Sequence, residues 1–548
     1  MQTALNAPGM QAHDQASQSV LENGLDGEPN VGSIRAMDKE LASDEASIKF
    51  KRTRNSLLNI HILPPEILGK IFHWNVMLRG DFGGLEKGSH NFLFICHHWF
   101  EVALRTPEIW SFWGDTPRDW ARCHTRSATA PLDLVLSGVN DDGDCLNPTL
   151  INVLQDRTSR DTIRRVHLRS GNPQLLRSIL SSLTPQCENM RPSQMQSFIL
   201  WNWEVTPVDV SDFVTHRYFP ELQRLDLTRC TISSWDLLRS RSGALTELHL
   251  NFVNPTPTPT TLQLLSILAS NPHLQEVALL HQAVPDDHTD APFRVPLHHL
   301  RQLLLSGDLR HVFGLLQQLE HPATLDRLGI TLYNCTEADV PQVIGPYLRS
   351  HLQRRGRSPS GLGLSLSCDR RIVFNVGEGG GNHSEAAQMD SVVELSVRLG
   401  QSPPKDLLGK TAMDLIAFVP PEDIVDFWGN NEPVDMGDIY TRLPNLKTLF
   451  LNRIHLPAVF PGPNFGEQGS IPSSVKTLTL QRLMVGNNDW SSLTTFLALR
   501  ASSGERLDIL KILHFNHMCR EVRESIEGMV HEFAAVNMHN SRCPSCEL

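Results

Sequence analysis

The sequence predicts an α/β protein in which a short helical module precedes an irregular solenoid with a curved parallel sheet and outer helices. Three observations support this fold class. A chain of 548 residues is longer than a single hydrophobic core can serve, so it holds several domains or one repetitive array. A short apolar pattern, L-x-x-L-x-L, recurs from about residue 160 onward. Apolar segments with helical spacing lie between the copies, as expected where strand and helix alternate.

Composition argues against several classes of function. The formal net charge is −11, and general nucleic-acid binding needs a surplus of Lys and Arg to neutralise phosphates. The sequence has no apolar run of about eighteen residues and no apolar signal core near its start, so we expect no membrane contact and a cytoplasmic or nuclear location. The ten cysteines are scattered, which is typical of reduced thiols in such compartments.

The first segments differ in composition. Residues 1–32 are polar, contain Gly and Pro, and have few bulky apolar side chains, so burial would not compensate the entropy lost on ordering them. We therefore expect disorder there. Residues 33–56 contain good helix formers with loosely spaced apolar positions, which predicts a helix leading into the next segment.

The stretch LPPEILGKIF, residues 63–72, predicts a helix with an apolar face. Proline fits the first turn of a helix, where its missing N–H has no partner, so Pro64 and Pro65 mark the start. The apolar residues behind them fall on one side of the helix: Ile67, Leu68, Ile71 and Phe72. That side must be buried, either against the rest of this chain or against another protein.

A second apolar block follows a loop. Residues 79–90 contain four glycines in twelve positions and predict a break. The sequence NFLFICHHWFEVALRTPEIW then resumes helical spacing, with Phe92, Ile95 and Trp99 separated by three or four residues. Pro107 ends this helix.

These blocks carry a resemblance to a known family. LPPEILGKIF, ICHHWFEVALRTPEIW and RSATAPLDLVL, in this order, resemble the F-box-like proteins of mushroom-forming fungi, and the module spans residues 57–113. The resemblance implies docking on the Skp adaptor of an SCF-type ubiquitin ligase and, through it, on cullin. It assigns the adaptor contacts to Leu63, Pro64, Ile67, Leu68, Ile71, Phe72, Cys96 and Trp99. Without the resemblance, the same apolar residues would be interpreted as internal core.

A connector over residues 114–159 is followed by the repeated pattern. Its clearest copy, LQRLDLTRCTI from Leu222 to Ile232, matches the leucine-rich-repeat template. Further copies begin at residues 245, 274, 300, 325, 446, 475 and 507, and weaker ones at residues 163, 195 and 392. The spacing is irregular, but each unit would still bury its apolar face only by stacking on its neighbours. This predicts a leucine-rich-repeat-like solenoid over residues 160–530.

Segments between the copies complete the prediction. TTLQLLSILASN and HVFGLLQQLEH favour helices that end at Asn271-Pro272 and His321-Pro322. Residues 355–391 are rich in Gly and Ser and predict a flexible insertion, whereas residues 531–548 form a tail. VPPEDIVDFW, residues 419–428, is interpreted as an ordinary helix started by proline.

The strand residues between the apolar positions would share the concave face of the solenoid, because side chains alternate along a strand. Each of them alone is most simply a solvated surface residue, but together they are the best candidate for binding a target protein. The candidates are Arg224, Asp226, Glu247, His249, Glu276, Gln302 and Phe450, flanked by Thr228, Asn251, Asn452, Thr477 and Gln481.

Chemical motifs are scarce. GEGGGN, residues 377–382, lacks the Lys-Ser or Lys-Thr of a phosphate loop. Cys543 and Cys546 have zinc-knuckle spacing without a second pair, and His97 and His98 show no HExxH pattern. We therefore expect no catalytic residue, no metal and no cofactor.

Two classes of function remain. The first is the substrate-receptor subunit of an SCF-type ubiquitin ligase, which binds its target through the solenoid and is not itself an enzyme. The second is a leucine-rich-repeat scaffold outside ubiquitination, in which the F-box-like part serves as an N-terminal cap because terminal repeats need one.

Overall fold

The computed structural model of the chain divides into two compact units, Met1–Phe112 with Arg122–Ala130, and Trp113–Ala121 with Pro131–Leu548. The structure describes residues 63–81, 91–113, 123–127, 130–137, 154, 161–184, 194–214, 219–239, 244–252, 258–287, 294–322, 325–336, 338–355, 359, 361–367, 371–377, 391–399, 405–430, 436–454, 456–460, 471–483, 490–515 and 518–537. The disorder predicted for residues 1–32, the helix predicted over 33–56 and the terminal cysteine pair all lie outside these ranges.

Helices form the first unit where it is described. They are α1 (Pro65–Asp81), a 3-10 helix (Asn91–Phe94), α2 (His97–Leu104) and α3 (Pro107–Trp110). The proline start is as predicted, since the N–H groups of Ile67 and Leu68 donate to the Pro64 carbonyl at 3.0 and 3.1 Å. At the start of α2, the Cys96 thiol accepts from the Trp99 N–H at 3.5 Å. Both helices are therefore fixed at their amino ends by local bonds.

The first unit has its own small core. Leu68, Phe72 and Val76 repeat every fourth residue on one side of α1 and are fully buried or nearly so. The Phe72 ring stacks on Phe92 with centroids 4.5 Å apart and lies 5.0 Å from the Trp99 ring. Residues on either side of the glycine-rich break therefore pack together, which fixes α1 against α2.

The second unit is built on strands that alternate with helices. The strands, with β1 at the boundary, are β1 (Phe112–Trp113), β2 (Leu132–Ser137), β3 (Ile163–Ser170), β4 (Ser197–Asn202), β5 (Val208–Asp209), β6 (Arg224–Thr228), β7 (Cys230–Thr231), β8 (Glu247–Asn251), β9 (Glu276–Leu280), β10 (Val295–Pro296), β11 (Gln302–Asp308), β12 (Leu319–Glu320), β13 (Arg327–Cys335), β14 (Gly361–Ser367), β15 (Arg371–Gly377), β16 (Ser391–Leu399), β17 (Asp426–Asn430), β18 (Thr448–Asn452), β19 (Thr477–Gln481), β20 (Ile509–Phe515) and β21 (Glu532–Asn537).

The helices of this unit follow the strands in sequence. They are α4 (Pro173–Leu183), α5 (Ser211–Val214), α6 (Asp236–Arg239), α7 (Thr261–Ser270), α8 (Leu309–Gln318), a π-helix (Val340–Ile344) that leads into α9 (Gly345–Arg355), α10 (Lys405–Ile416), a 3-10 helix (Pro421–Asp423), α11 (Met436–Arg442), α12 (Leu456–Val459), α13 (Trp490–Ser502) and α14 (Arg520–Glu527). The two helices predicted between repeat copies are α7 and α8. A capping box between Thr260 and Gln263 starts α7, and Asn271 caps its end as predicted.

A large, mostly parallel sheet organises the second unit, as the α/β prediction requires. Among the described residues its strand order is β2-β3-β4-β6-β8-β9-β11-β13-β16-β15-β14-β17-β18-β19-β20-β21. Each copy of the L-x-x-L-x-L pattern coincides with one of these strands. Only β15 runs antiparallel to its neighbours in this described sheet.

A recurring turn follows many of the strands. A non-glycine residue with φ between 50° and 57° lies at the carboxyl end of each of several strands, and the next side chain is buried. These pairs are Arg229-Cys230, Asn334-Cys335, Arg453-Ile454, Arg482-Leu483 and His514-Phe515. The left-handed residue turns the chain out of the strand, so that the next apolar side chain returns to the core.

Strands occupy parts of three segments that the sequence analysis assigned to a connector, a tail and an insertion. Strand β2 lies in the expected connector, 114–159, and pairs with β3. Strand β21 lies in the expected tail, 531–548, and pairs with β20. Strands β14 and β15 form a hairpin inside the expected insertion, 355–391, because their alternating apolar side chains are buried in the sheet. Residues 378–390 of that insertion lie outside the described part.

The helix predicted from VPPEDIVDFW is wrong. Only Pro421–Asp423 are helical, and the chain then enters β17. Strands β14 and β18 pair with β17 on its two sides, and Phe427 is 1% exposed. Strand pairing on both sides satisfies the backbone groups of β17 and buries its aromatic side chain, which outweighs the local helical signal.

A close packing contact in the helix layer allows a stability prediction. Gly345 begins α9, and a Cβ at this position would overlap the Phe418 ring. We expect Gly345→Ala to destabilise the second unit by about 1–3 kcal/mol, because a packed site must shift to accept the methyl group. Chemical denaturation of the full chain, monitored by hydrogen exchange in residues 338–355, measures this loss of stability.

Gly409 supplies the matched control. It lies inside α10, and nothing lies within 4 Å of the position that a Cβ would take. Gly409→Ala should stabilise the helix by about 0.5–1 kcal/mol, because alanine loses less backbone entropy than glycine. Equal effects of the two substitutions would contradict the proposed overlap with Phe418.

Candidate binding sites

Exposed apolar side chains concentrate in the first unit. Among the described residues, six of the eleven exposed large apolar side chains belong to it: Ile67, Ile71, Trp74, Phe94, Ile95 and Phe100. Ile67, Ile71 and Trp74 are spaced as i, i+4 and i+7, so they form one stripe along α1. We call these three residues the α1 stripe. A small unit that leaves such a stripe in water has a surface suited to a partner.

The structure divides the predicted adaptor contacts into two groups. Ile67 and Ile71 are 43% and 44% exposed, Pro64 is exposed, and Leu63 is partly exposed. Cys96 and Trp99 are partly buried, where they cap α2 and pack on the core.

Leu68 and Phe72, two of the predicted adaptor contacts, are buried in the structure of the free chain. They are 0% and 2% exposed, and the Phe72 ring faces Phe92 and Trp99 inside its own unit. Helical spacing alone cannot assign one flank of the apolar side to the core and the other to water. The sequence-based contact set omitted Trp74. Its position seven residues after Ile67, which is two helical turns, could have placed it on the same side of α1.

A polar network covers one side of neighbouring strands in the second unit. Strands β3, β4, β6, β8 and β9 lie side by side in parallel register, with leucines and other apolar residues buried on the opposite side. We call the polar side chains the strand-face network: His167, Arg169, Trp201, Arg224, Asp226, Glu247, His249 and Glu276. Regular register brings these side chains within contact distance of one another.

At the β3 end of the network, Arg169 is held in place. Its guanidinium carbon lies 3.8 Å from the centre of the Trp201 ring, and its Nε donates to His167 Nε2 at 2.7 Å. Burial lowers the pKa of His167 to about 4, and the neighbouring Arg169 adds to this shift. His167 is therefore neutral near pH 7 and can accept the bond.

Asp226 connects the two halves of the network. It is 5% exposed and accepts from the Trp201 indole N–H at 3.0 Å. Its other carboxylate oxygen lies 3.4 Å from His249 Nδ1. His249 Nε2 in turn lies 3.7 Å from Glu276. The His249 imidazole, on β8, is thus fixed between two carboxylates, one on each neighbouring strand.

Arg224 completes the acidic half of the network. Its Nη1 lies 3.0 Å from Glu247 and its Nη2 lies 3.8 Å from Asp226. Burial alone would lower the pKa of His249, but hydrogen bonds to Asp226 and Glu276 outweigh burial and raise the pKa to about 9. Arg224 and the protonated His249 therefore offset two of the three carboxylate charges at neutral pH.

Glu247, His249 and Glu276 could hold a metal ion by geometry, since their ligand atoms lie within 4.8 Å of one another. Arg224 already pairs with Glu247, and the raised pKa of His249 keeps its imidazole protonated at neutral pH. A metal would have to displace both the ion pair and the proton. The arrangement is therefore better suited to binding through charge and hydrogen bonds.

A search against protein-family models and a search of curated proteins each found no match to this chain. In the described part of the chain, no helix has both the length and the apolar composition that crossing a bilayer requires.

Most of the predicted target-binding residues come together in the strand-face network. Arg224, Asp226, Glu247, His249 and Glu276 all belong to it, although Asp226 is buried rather than exposed as predicted. The other two predicted residues lie outside it.

Gln302 pairs in register with Glu276, whereas Phe450 lies on β18 between β17 and β19. The sequence-based candidates omitted His167, Arg169 and Trp201. Their alternation with buried residues in the weaker repeat copies was the signal that could have found them.

The pairing of His249 predicts a pH-dependent stability. Its pKa of about 9 in the folded protein exceeds its ordinary value of 6.5. Proton binding to the folded state therefore stabilises it fully below about pH 6.5, and this contribution is lost as pH rises through about 9. The free energy of unfolding of His249→Gln should be about 1–3 kcal/mol lower than that of the wild-type chain at pH 6. This difference should be smaller at pH 9.5.

Unfolding measured in denaturant at both pH values tests this. His273→Gln, which removes an exposed imidazole on the loop before β9, is the matched control. A deficit for His249→Gln that is the same at pH 6 and pH 9.5 would contradict the proposed pairing with Asp226 and Glu276.

Proposed function

We propose that this chain is a substrate-receptor subunit of an SCF-type ubiquitin ligase. Its F-box-like module docks on a Skp adaptor, and through it on cullin, while the leucine-rich-repeat-like solenoid binds a target protein. In this role the subunit contributes no catalytic residue, because tethering target and ligase together raises their effective concentration.

The α1 stripe is the observation that carries the adaptor half of this proposal. Ile67 and Ile71 project from the helix whose sequence resembles the family, and Leu68 and Phe72 already fill the core beneath them. The helix can therefore offer an apolar side to a partner without unfolding its own unit. Docking an apolar helix side into a groove is a common recognition mode.

The free energies of burial and of association favour a contact that is larger than the α1 stripe. Burying Ile67, Ile71 and Trp74 would contribute about 1.5–3 kcal/mol each, whereas association costs about 4–15 kcal/mol. The α1 stripe alone is therefore marginal. Phe94, which is 85% exposed, and Ile95 supply further apolar surface in the same unit.

The strand-face network supports the target-binding half. It combines an aromatic ring, arginines and carboxylates whose positions are fixed by mutual bonds, so little side-chain entropy remains to be lost on binding. Parallel arrays with one polar face commonly use that face for protein recognition.

Reconstitution tests the proposal directly. The full chain is mixed with a purified Skp adaptor bound to the amino-terminal part of cullin, and size exclusion with light scattering measures complex formation. A stoichiometric complex of all three proteins is the expected result. If the full chain elutes alone at micromolar concentration, the ligase role fails and the alternative of a scaffold outside ubiquitination, with the F-box-like part as a cap, is favoured.

A further inference from the structure

Arg169 is the charged group of the strand-face network that forms no ion pair with a described carboxylate, although the buried Asp226 acts on it from a longer distance. In the part of the chain that the structure describes, its Nε bonds to His167 and its plane covers Trp201, but no carboxylate lies within ion-pair distance. By contrast, Arg224 is engaged by Glu247 and Asp226. The terminal N–H groups of Arg169 remain available to a ligand.

The orientation of this guanidinium is fixed by two contacts, and one of the contacting groups is itself anchored. The Arg169 Nε donates to His167, which is only 6% exposed, and the Trp201 ring lies against one face of the guanidinium. The indole is itself anchored, since its N–H donates to the buried Asp226. A surface arginine normally loses rotamer entropy when it binds, but this one is already ordered by its neighbours.

We propose that Arg169 is the anchor that receives an acidic side chain of the target protein, either a carboxylate or a phosphorylated serine. The inference rests on the proposed function only in taking the ligand to be a protein. A planar guanidinium with its two terminal nitrogens free matches the two oxygens of a carboxylate or phosphate, and such paired bonds are the strong ones.

The surroundings favour an anion over a cation at this end of the network. Arg165 lies two residues before His167 on the same side of β3, and its charge acts on His167. The carboxylates of the network lie on β6, β8 and β9, where His249 and Arg224 offset two of their three charges.

Trp203 indicates what should flank the anion. It lies two residues beyond Trp201, its N–H donates to the Ser170 carbonyl at 3.1 Å, and its side chain is 56% exposed. An exposed indole whose backbone bonds to the residue after Arg169 provides an apolar contact for a neighbouring residue of the ligand. We therefore expect an acidic residue followed or preceded by an apolar one.

A peptide selection on the full chain tests the inference. The probes are two random twelve-residue libraries, one unmodified and one with phosphoserine at its centre, and the peptides retained by immobilised wild-type protein are sequenced. We expect enrichment of Asp or Glu in the first library, or retention of the second over a matched serine library. The two arms distinguish carboxylate from phosphate.

Variants assign the binding to the anchor. Arg169→Gln should weaken the best retained peptide by about 10- to 100-fold, as loss of bonds between charged groups predicts. Arg169→Lys keeps the charge but not the planar pair of donors, so it should recover only part of the affinity. Arg398→Gln on β16, an exposed arginine of the same sheet, should bind as the wild type does.

The outcomes are separable from those of the adaptor experiment. Retained peptides without acidic enrichment, no retained peptides, or equal binding by Arg169→Gln would each overturn the inference while leaving adaptor docking intact. Loss of binding in Arg398→Gln as well would also overturn it, because the effect would not belong to Arg169. Failure of adaptor docking with Arg169-dependent peptide binding would overturn only the ligase role.

Discussion

Changing Ile67 and Ile71 together to aspartate should abolish capture of the Skp adaptor while the first unit stays folded. Both side chains are close to half exposed, so a carboxylate there remains hydrated and disturbs little in the free protein. In the complex, the double variant loses the burial of two isoleucines, about 3–6 kcal/mol, which corresponds to a loss of affinity of about 100-fold or more. Calorimetric titration with the adaptor measures this change.

Leu68→Asp provides the contrast on the same helix. Leu68 is fully buried, so a carboxylate there would lie in the apolar core and should cost about 4 kcal/mol or more in stability. That variant should lose adaptor binding because its unit unfolds, which circular dichroism and hydrogen exchange in residues 63–81 detect.

Glu66→Gln, at an exposed position away from the α1 stripe, is the neutral control. Wild-type affinity in the Ile67 and Ile71 double variant would contradict docking through the α1 stripe. So would unfolding of that variant to the same extent as Leu68→Asp.

Arg500→Met should cause the largest loss of stability among single changes in the second unit. Arg500 lies near the end of α13 and is 6% exposed. Its guanidinium donates to backbone carbonyls of Ile471, Pro472, Ser473, Val475 and Glu505 at 2.8–3.4 Å. These carbonyls precede β19 and β20, so one side chain fixes the entry of two neighbouring strands.

Removing these donors takes a bond from the buried carbonyls of Ile471 and Val475 and from three part-buried ones, of which Pro472 keeps its bond from the Val475 N–H. Each carbonyl left unpaired costs about 1–3 kcal/mol, and partial relaxation brings the expected total to about 3–5 kcal/mol. Arg500→Lys should lose less stability than Arg500→Met but remain less stable than the wild type, because an ammonium cannot reach all five acceptors. Because repetitive arrays need not unfold in one step, hydrogen exchange resolved to residues 471–483 and 505–515 is the appropriate measurement.

The matched control is Arg523→Met on α14. Arg523 is exposed and pairs with Glu527 across one helical turn, an interaction that contributes about 0.3–0.5 kcal/mol in most proteins. If Arg500→Met and Arg523→Met gave similar exchange in the two segments, the carbonyl network would not be stabilising the strand entries.

The repeat strands show what sequence patterns predict well. Leu225 and Leu227 alternate with Arg224, Asp226 and Thr228, so one side of β6 had to be apolar and the other polar. Local alternation therefore predicted both the strand and the residues on its polar side. The polar residues of β6, β8 and β9 were foreseen as a shared surface for this reason.

Other features depended on contacts that no local pattern contains. Phe427 sits in a segment with a proline start, yet pairing with strands on both sides makes it part of β17. Arg500 has the sequence context of a solvated helix residue, but its acceptors lie 25 to 29 residues earlier in the chain and 5 residues later. Such contacts exist only after the chain is packed.

The sequence by itself determined the α/β class, the positions of the repeat strands, the proline start of α1 and the polar residues of the central strands. These follow from spacing and dihedral preferences within a few residues. Tertiary structure decided which side of α1 is core and which is open, why Leu68 and Ile67 differ, and why Arg169 is ordered without an ion pair to a described carboxylate. Burial and pairing depend on neighbours distant in sequence, so the free energy that settles them is absent from any local pattern.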